Sequence, residues 1–265
     1  DGNVLSSIDT NGNITLTPNG TGLVVIDGCS IQVDSDTVID GGGVGTGTNN
    51  TLFGKNTGDS LESTAQTNCL IGAESGTAIT TGDDNTAIGY GALYNSTTAT
   101  GSTAVGRGAM QNATTAGNAF GKYALYSNQG TGNSAFGDSA LNLTTTGDYN
   151  ICVGSNAGSA MTTANRNIAI GQDAMLEATT NSHRNTAIGF GTLEKLSGAG
   201  NSYNVAIGWD AGTASTTATL NTLAGSFAGS FLTTGSQNTV FGYEALSREN
   251  TGSYNVAIGY GALKL

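Results

Sequence analysis

The chain offers little that could do acid–base or nucleophilic chemistry. Its single histidine, His183, stands in the polar stretch Asn181-Ser182-His183-Arg184, which reads as a solvated insertion loop. No spacing marks out a serine–histidine–aspartate set around it. The pair Asp83-Asp84 has the residue types for glycan cleavage, one carboxyl as acid and the other as base, or simply forms a charged loop edge. Asp-rich turns in the first 40 residues have oxygen ligands for calcium, but no liganding pattern recurs. Gly121-Lys122 is followed by Tyr123, without the hydroxyl residue that completes a phosphate loop. Cys29, Cys69 and Cys152 form neither a disulfide framework nor a metal spacing. Cys152 reads as a small buried thiol or, more sharply, as an interchain bridge near a symmetry axis. The expectation is a protein that is not an enzyme and uses no cofactor and no metal.

What recurs is a scaffold. The motif Asn-x-small-large-Gly-x-x-Ala-(Leu, Met or Gly) repeats along the chain, as in Asn85-Thr86-Ala87-Ile88-Gly89-Tyr90-Gly91-Ala92-Leu93. Thirteen motif glycines fit: Gly54, Gly72, Gly89, Gly106, Gly121, Gly137, Gly154, Gly171, Gly189, Gly208, Gly225, Gly242 and Gly259. Seven of their twelve spacings equal 17, and the others run from 15 to 19. A period of this length marks a solenoid, each repeat a coil stacked on its neighbours. Before the glycine stands a large apolar residue in twelve copies, among them Ile88, Ile170, Ile188, Ile207 and Ile258. The residue before that is Ala in eight copies, and four residues before the glycine Asn occupies eleven.

Neighbouring residues of a strand point to opposite faces. In Ala87-Ile88 both are apolar, so one face fills the narrow inside of the coil and the other needs a cover. Gly89 lets the backbone bend or approach another segment closely. Ala92-Leu93 reads as the start of a second apolar strand, and the Thr-, Asn- and Gly-rich remainder as turns. Two or three large apolar side chains per coil do not offset the entropy of ordering it. Burial between chains is therefore expected, and with it an obligate oligomer. The fold class expected is all-β: a parallel β-solenoid of about 17 residues per coil, closely packed or intertwined as a homotrimer.

Residues 1–48 differ from the rest and read as a small β connector; residues 49–265 read as the repeat domain of about thirteen coils. Leu23 to Ile26 reads as a strand, Thr17-Pro18-Asn19-Gly20 and Asp27-Gly28 as turns, and Gly41 to Gly47 as a linker. Extra residues before Gly189 and Gly208 place Asn181 to Arg184 and Ser197 to Ser202 in longer loops. Composition narrows the partners. A net charge of −11 with eight Lys plus Arg argues against nucleic acid. No apolar run is long enough to span a membrane, so no membrane insertion is expected.

Two columns face outward in this register. The variable position after the motif glycine holds Tyr90, Phe190, Trp209, Tyr243 and Tyr260, with Arg107 and Lys122 elsewhere. Such aromatics either stack along the rod or grip a glycan or protein receptor, with His183 and Arg184 added from the nearby loop. Thr-Thr pairs, from Thr97-Thr98 to Thr233-Thr234, form a hydroxyl array of the sort that orders water in ice-binding solenoids.

The Asn-x-Ala-Ile-Gly motif resembles the head repeats of trimeric autotransporter adhesins, and repeats of bacteriophage tail fibres and other virion fibres. The likeness covers roughly residues 49–265, with the best copies at 85–93, 185–193, 204–212 and 255–263. It implies three chains forming parallel β-rolls, although the adhesin repeats are usually somewhat shorter. The segment Asn11 to Gly22 is similar to strand–turn segments of phage fibres. The resemblance implies a structural fibre segment of a virion or an adhesin head on the bacterial surface, located on the virion or outside the cell. A host-surface glycan or protein would be its partner. A glycan-cleaving tailspike and an ice-binding solenoid stand as other readings.

Overall fold

The computed structural model describes Val25–Ile26, Ile31–Gln32 and residues 49–197 and 202–264. Two short strands, β1 (Val25–Ile26) and β2 (Ile31–Gln32), pair antiparallel, with Ile26 opposite Ile31. The expectations for Asn11 to Gly22, the Asp27-Gly28 turn, Cys29, the Gly41 to Gly47 linker and residues 198–201 fall outside the described residues.

Thirteen strands of three or four residues, β3 (Thr51–Phe53) to β15 (Val256–Ile258), form one parallel sheet in strict chain order. Corresponding residues of successive coils pair in register: Ala169 faces Cys152 on one side and Ala187 on the other. Twelve steps of about 4.8 Å make this sheet roughly 60 Å long. This is the expected parallel β-solenoid.

The small-in, large-out reading holds residue by residue. Ala87, Ala169, Ala187 and Ala206 are fully buried, whereas Ile88, Ile170, Ile207 and Ile258 on the opposite face are exposed and Ile188 is half-buried. The motif glycines stack directly on one another. Gly171 has φ +133°, and a Cβ there would stand 2.4 Å from the carbonyl oxygen of Gly189. Gly89, Gly106, Gly154, Gly189, Gly208 and Gly242 repeat this close approach, while Gly259 shares the positive φ without a neighbour within 4 Å.

Ala92-Leu93 does not begin a second strand. Both side chains are fully buried, and Leu93 has φ 53°. A strand would send the two to opposite faces; a left-handed turn turns both inward. The same turn accounts for several motifs that end in Leu or Met and several that end in Gly, with Leu193–Leu196 and Gly212–Ser215 as exceptions. Gly58, Gly76, Gly158 and Gly229 precede by three residues a large buried side chain: Leu61, Ile79, Met161 and Leu232. In the Leu93, Met110 and Met175 coils that later position holds Ser96, Ala113 and Ala178. The two positions share one interior volume. A Cβ on Gly158 would lie 3.1 Å from Met161 and 2.7 Å from Cys152 Sγ. Each of these coils therefore fills the space from one place or the other.

The recurrent Asn is the polar spine of the interior. Asn150 Oδ1 accepts the backbone N–H of Asn167 at 3.0 Å and its Nδ2–H at 3.1 Å; Asn167 Nδ2 also donates to the Ser182 carbonyl at 2.7 Å. Asn185 repeats this on Asn167, and Asn204 on Asn185. Such deeply buried amides require partners, and the next coil supplies them. The ladder breaks at Ser102 and Gly117, and beyond the break Asn133 Nδ2 donates instead to Asn128 Oδ1, from another part of the coil, at 2.8 Å.

Candidate functional site

The variable residue after the motif glycine lies just past the end of each strand. The aromatic column lies there, and every expected member is exposed: Tyr90, Phe190, Trp209, Tyr243 and Tyr260. It does not form one site. Phe190 and Trp209, on adjacent coils, have ring centres 4.9 Å apart; Tyr243 and Tyr260 stack at 5.4 Å and 11°. Trp209 Nε1 donates to Asp210 at 2.9 Å. Tyr90 lies six coils from Phe190, roughly 30 Å along the stack.

Around Tyr90 the column is cationic. Arg107 and Lys122 follow it on the next two coils. The Arg107 guanidinium carbon sits 6.0 Å from the Tyr90 ring centre and 5.8 Å from that of Tyr123. Lys122 Nζ is 5.1 Å from the Tyr123 ring and 3.9 Å from Asp138. Tyr123 and Tyr126 meet edge to face at 5.6 Å. A hydrogen bond to Glu74, and then that carboxylate's charge, push the Tyr90 phenol above its ordinary range. Tyr90, Arg107, Gln111, Tyr123, Tyr126 and Asn142 line an open cleft of about 420 Å³. Sequence reasoning found Tyr90 and noted Arg107 and Lys122, but missed the rest. The available signal was Gly91 and Gly108, two successive coils with no side chain two places after the motif glycine.

His183 and Arg184 occupy regular columns; His183 is half-buried, which corrects its reading as a solvated side chain, whereas Arg184 is exposed. The residue two before the repeat Asn accepts a backbone N–H from the preceding coil. Asp83 does so from Gln66 and Asp148 from Thr131, each at 2.7 Å, and His183 Nδ1 does so from Asn165 at 3.0 Å. Asp84 is likewise bonded to Thr67. These hydrogen bonds knit coil to coil.

Burial lowers the His183 pKa below 6.5, with the charges of Arg184 and Arg166 acting in the same direction. As pH falls, the unfolded chain therefore takes up the proton first. Stability should be full above about pH 6.5 and decline below it until the folded pKa is passed. His183→Asn, which copies Asn165 in the same column, should flatten that decline. Thermal unfolding at pH 7.5 and pH 5 checks this; equal losses in both proteins would contradict it.

The residue just before the repeat Asn takes φ near +55° in coil after coil. There Tyr149, Arg166, Arg184 and Tyr203 form an exposed run on consecutive coils. Arg166 lies 5.8 Å from the Tyr149 ring, and Arg184 Nη1 donates to the Tyr203 hydroxyl at 2.9 Å. Cys152 faces the interior of its own coil, fully buried, and burial pushes its thiol pKa up. That placement rules out the interchain bridge. In several threonine pairs the first hydroxyl donates to the next coil's carbonyl, as Thr162 does to Thr179 at 2.9 Å and Thr216 to Thr233 at 3.2 Å; in Thr144-Thr145 the second donates, to Thr162 at 3.0 Å, and the buried Thr144 hydroxyl has no partner. Those donors serve the stack itself.

Together these features define a parallel β-solenoid with a sheet face, a polar ladder and a column of exposed rings. Comparison with family models, curated proteins and solved structures finds no match.

Proposed function

We propose that the chain is a structural segment of an extracellular fibre, on a virion or a bacterial surface. Copies of it pack sheet to sheet and carry the ring-bearing columns outward for host attachment. One observation carries this reading. The outward positions of the thirteen strands, from Thr51 and Phe53 to Val256 and Ile258, hold no charged residue, although the chain has 27 (8 basic plus 19 acidic). Ile151, Val153, Ile168, Ile170, Val205, Ile207, Phe241, Val256 and Ile258 are exposed along this face. The strip measures roughly 60 by 10 Å, as large as the biggest apolar patches of ordinary monomers. Charge depletion is the mark of an interface core. The count of three rests on the resemblance to adhesin heads and virion fibres. Threonine donors already committed to the stack make an ice-binding surface the weaker reading.

The wild-type chain should sediment as a trimer at micromolar concentration. Ile168→Asp with Ile170→Asp should shift it to monomer while leaving the β-sheet dichroism. A wild-type monomer at high concentration would overturn the reading. The assembly itself catalyses nothing; it acts by multivalency, many weak contacts on linked copies giving avidity.

A further inference from the structure

The cleft beside Tyr90 has features of a ligand site. Its volume, about 420 Å³, falls within the range of small-molecule sites. It exists because two successive coils have glycine where others hold Asn56, Glu74, Asn156, Asp173, Phe227 or Glu244. A Cβ on Gly108 would stand 2.6 Å from the Tyr123 ring and 3.0 Å from Gln111 Oε1. The missing side chains leave the hollow, and tyrosines form its walls.

The walls carry a consistent chemistry. Tyr90, Tyr123 and Tyr126 supply flat apolar faces, which suit the C–H faces of a pyranose ring. Gln111 and Asn142 supply amides, which donate and accept as sugar hydroxyls do. Between two of the tyrosines lies Arg107, close to both rings. Among the described residues it has no carboxylate within ion-pair distance; the two ion pairs are Lys122–Asp138 and Lys264–Glu244. A guanidinium flanked by rings has its N–H edge left for a planar carboxylate, which it binds bidentately. Lys122, on the next coil, pairs with Asp138 beside the Tyr123 ring and Glu74 is bonded to Tyr90, so Arg107 is the cation left for the ligand.

We propose that this cleft binds a carboxylated sugar, its carboxylate on Arg107 and its ring against Tyr123 and Tyr126. This deepens the host-attachment reading by naming a ligand class. The site is built by four consecutive coils of a single chain and does not need the sheet-to-sheet assembly.

The test is calorimetric titration of the full chain with oligogalacturonate, with 3′-sialyllactose and with lactose. The first two distinguish a polymer uronate from a terminal sialic acid, and lactose is the neutral control. At least one acidic probe should bind, with lactose at least about tenfold weaker. Arg107→Gln and Tyr123→Asn should each weaken the acidic probe by about tenfold or more. Both substitutions copy residues the fold already holds in those columns, Gln172 and Asn156, and dichroism checks that they fold. Binding by neither acidic probe, equal binding by lactose, or unchanged binding in folded Arg107→Gln overturns the proposal. Sedimentation of the same samples, and titration of the Ile168→Asp/Ile170→Asp chain, separate failure of the cleft from failure of the fibre reading.

Discussion

Gly171→Ala is expected to cost about 3 kcal/mol or more and to lower the unfolding temperature by on the order of 10 °C. Two effects add. The residue has φ +133°, which L side chains rarely adopt, and the new methyl would lie 2.4 Å from Gly189 O and 2.5 Å from Gly189 C. The obstructing atoms are backbone, held on both sides by the register of three strands, so they cannot move aside cheaply. Gly259→Ala is the control: φ is +120°, but nothing lies within 4 Å. It should show the conformational strain alone, about 1–3 kcal/mol. Equal destabilisation by the two substitutions, read by thermal unfolding, would show that stacking contributes nothing.

Asn167→Ala is the second large effect. The substitution leaves the Asn185 backbone N–H and the Ser182 carbonyl without their 2.9 and 2.7 Å partners, both in the interior. Each orphaned buried group costs about 1–3 kcal/mol, so a loss of roughly 2–6 kcal/mol is expected in urea unfolding. Asn167→Asp separates hydrogen bonding from shape. It keeps an oxygen for Asn185 but places a second oxygen against Asn150 Oδ1 and the Ser182 carbonyl, where Nδ2 now donates. If the near-isosteric Asp were neutral, the ladder would not be what the Asn column supplies. The chain already contains a natural break at Ser102 and Gly117. There the Ser102 hydroxyl lacks a partner and Asn128 gives Asn133 an acceptor in place of the missing Asn.

Much of the fold was legible because one coil repeats one set of local constraints. Small residues inside, large ones outside and glycine at the bend are each imposed within a few residues, and thirteen copies average out the exceptions. Ala92-Leu93 misled because an apolar pair after a glycine has the pattern of a strand. The deciding quantity was the backbone angle at Leu93, which composition does not reveal. His183 misled for a related reason. As the only histidine in a polar stretch it looks like a solvated side chain, yet its ring nitrogen meets a backbone N–H 18 residues away. The aromatic column was found as a column, but its division into a cleft and two ring pairs depends on which coils are neighbours.

By itself, then, the sequence determined the period, the parallel stack, the glycine column and an apolar face that one chain leaves uncovered. These follow from sterics and burial repeated in every coil. Only the tertiary structure decided the exchange of volume between Gly158 and Met161, the Asn spine with its Asn128 substitute, and the hollow walled by Tyr90, Arg107, Tyr123 and Tyr126. Each of these depends on side-chain directions that the repeat pattern alone does not show. Their side chains meet only once left-handed turns have set their directions and stacking has brought residues one coil apart into contact.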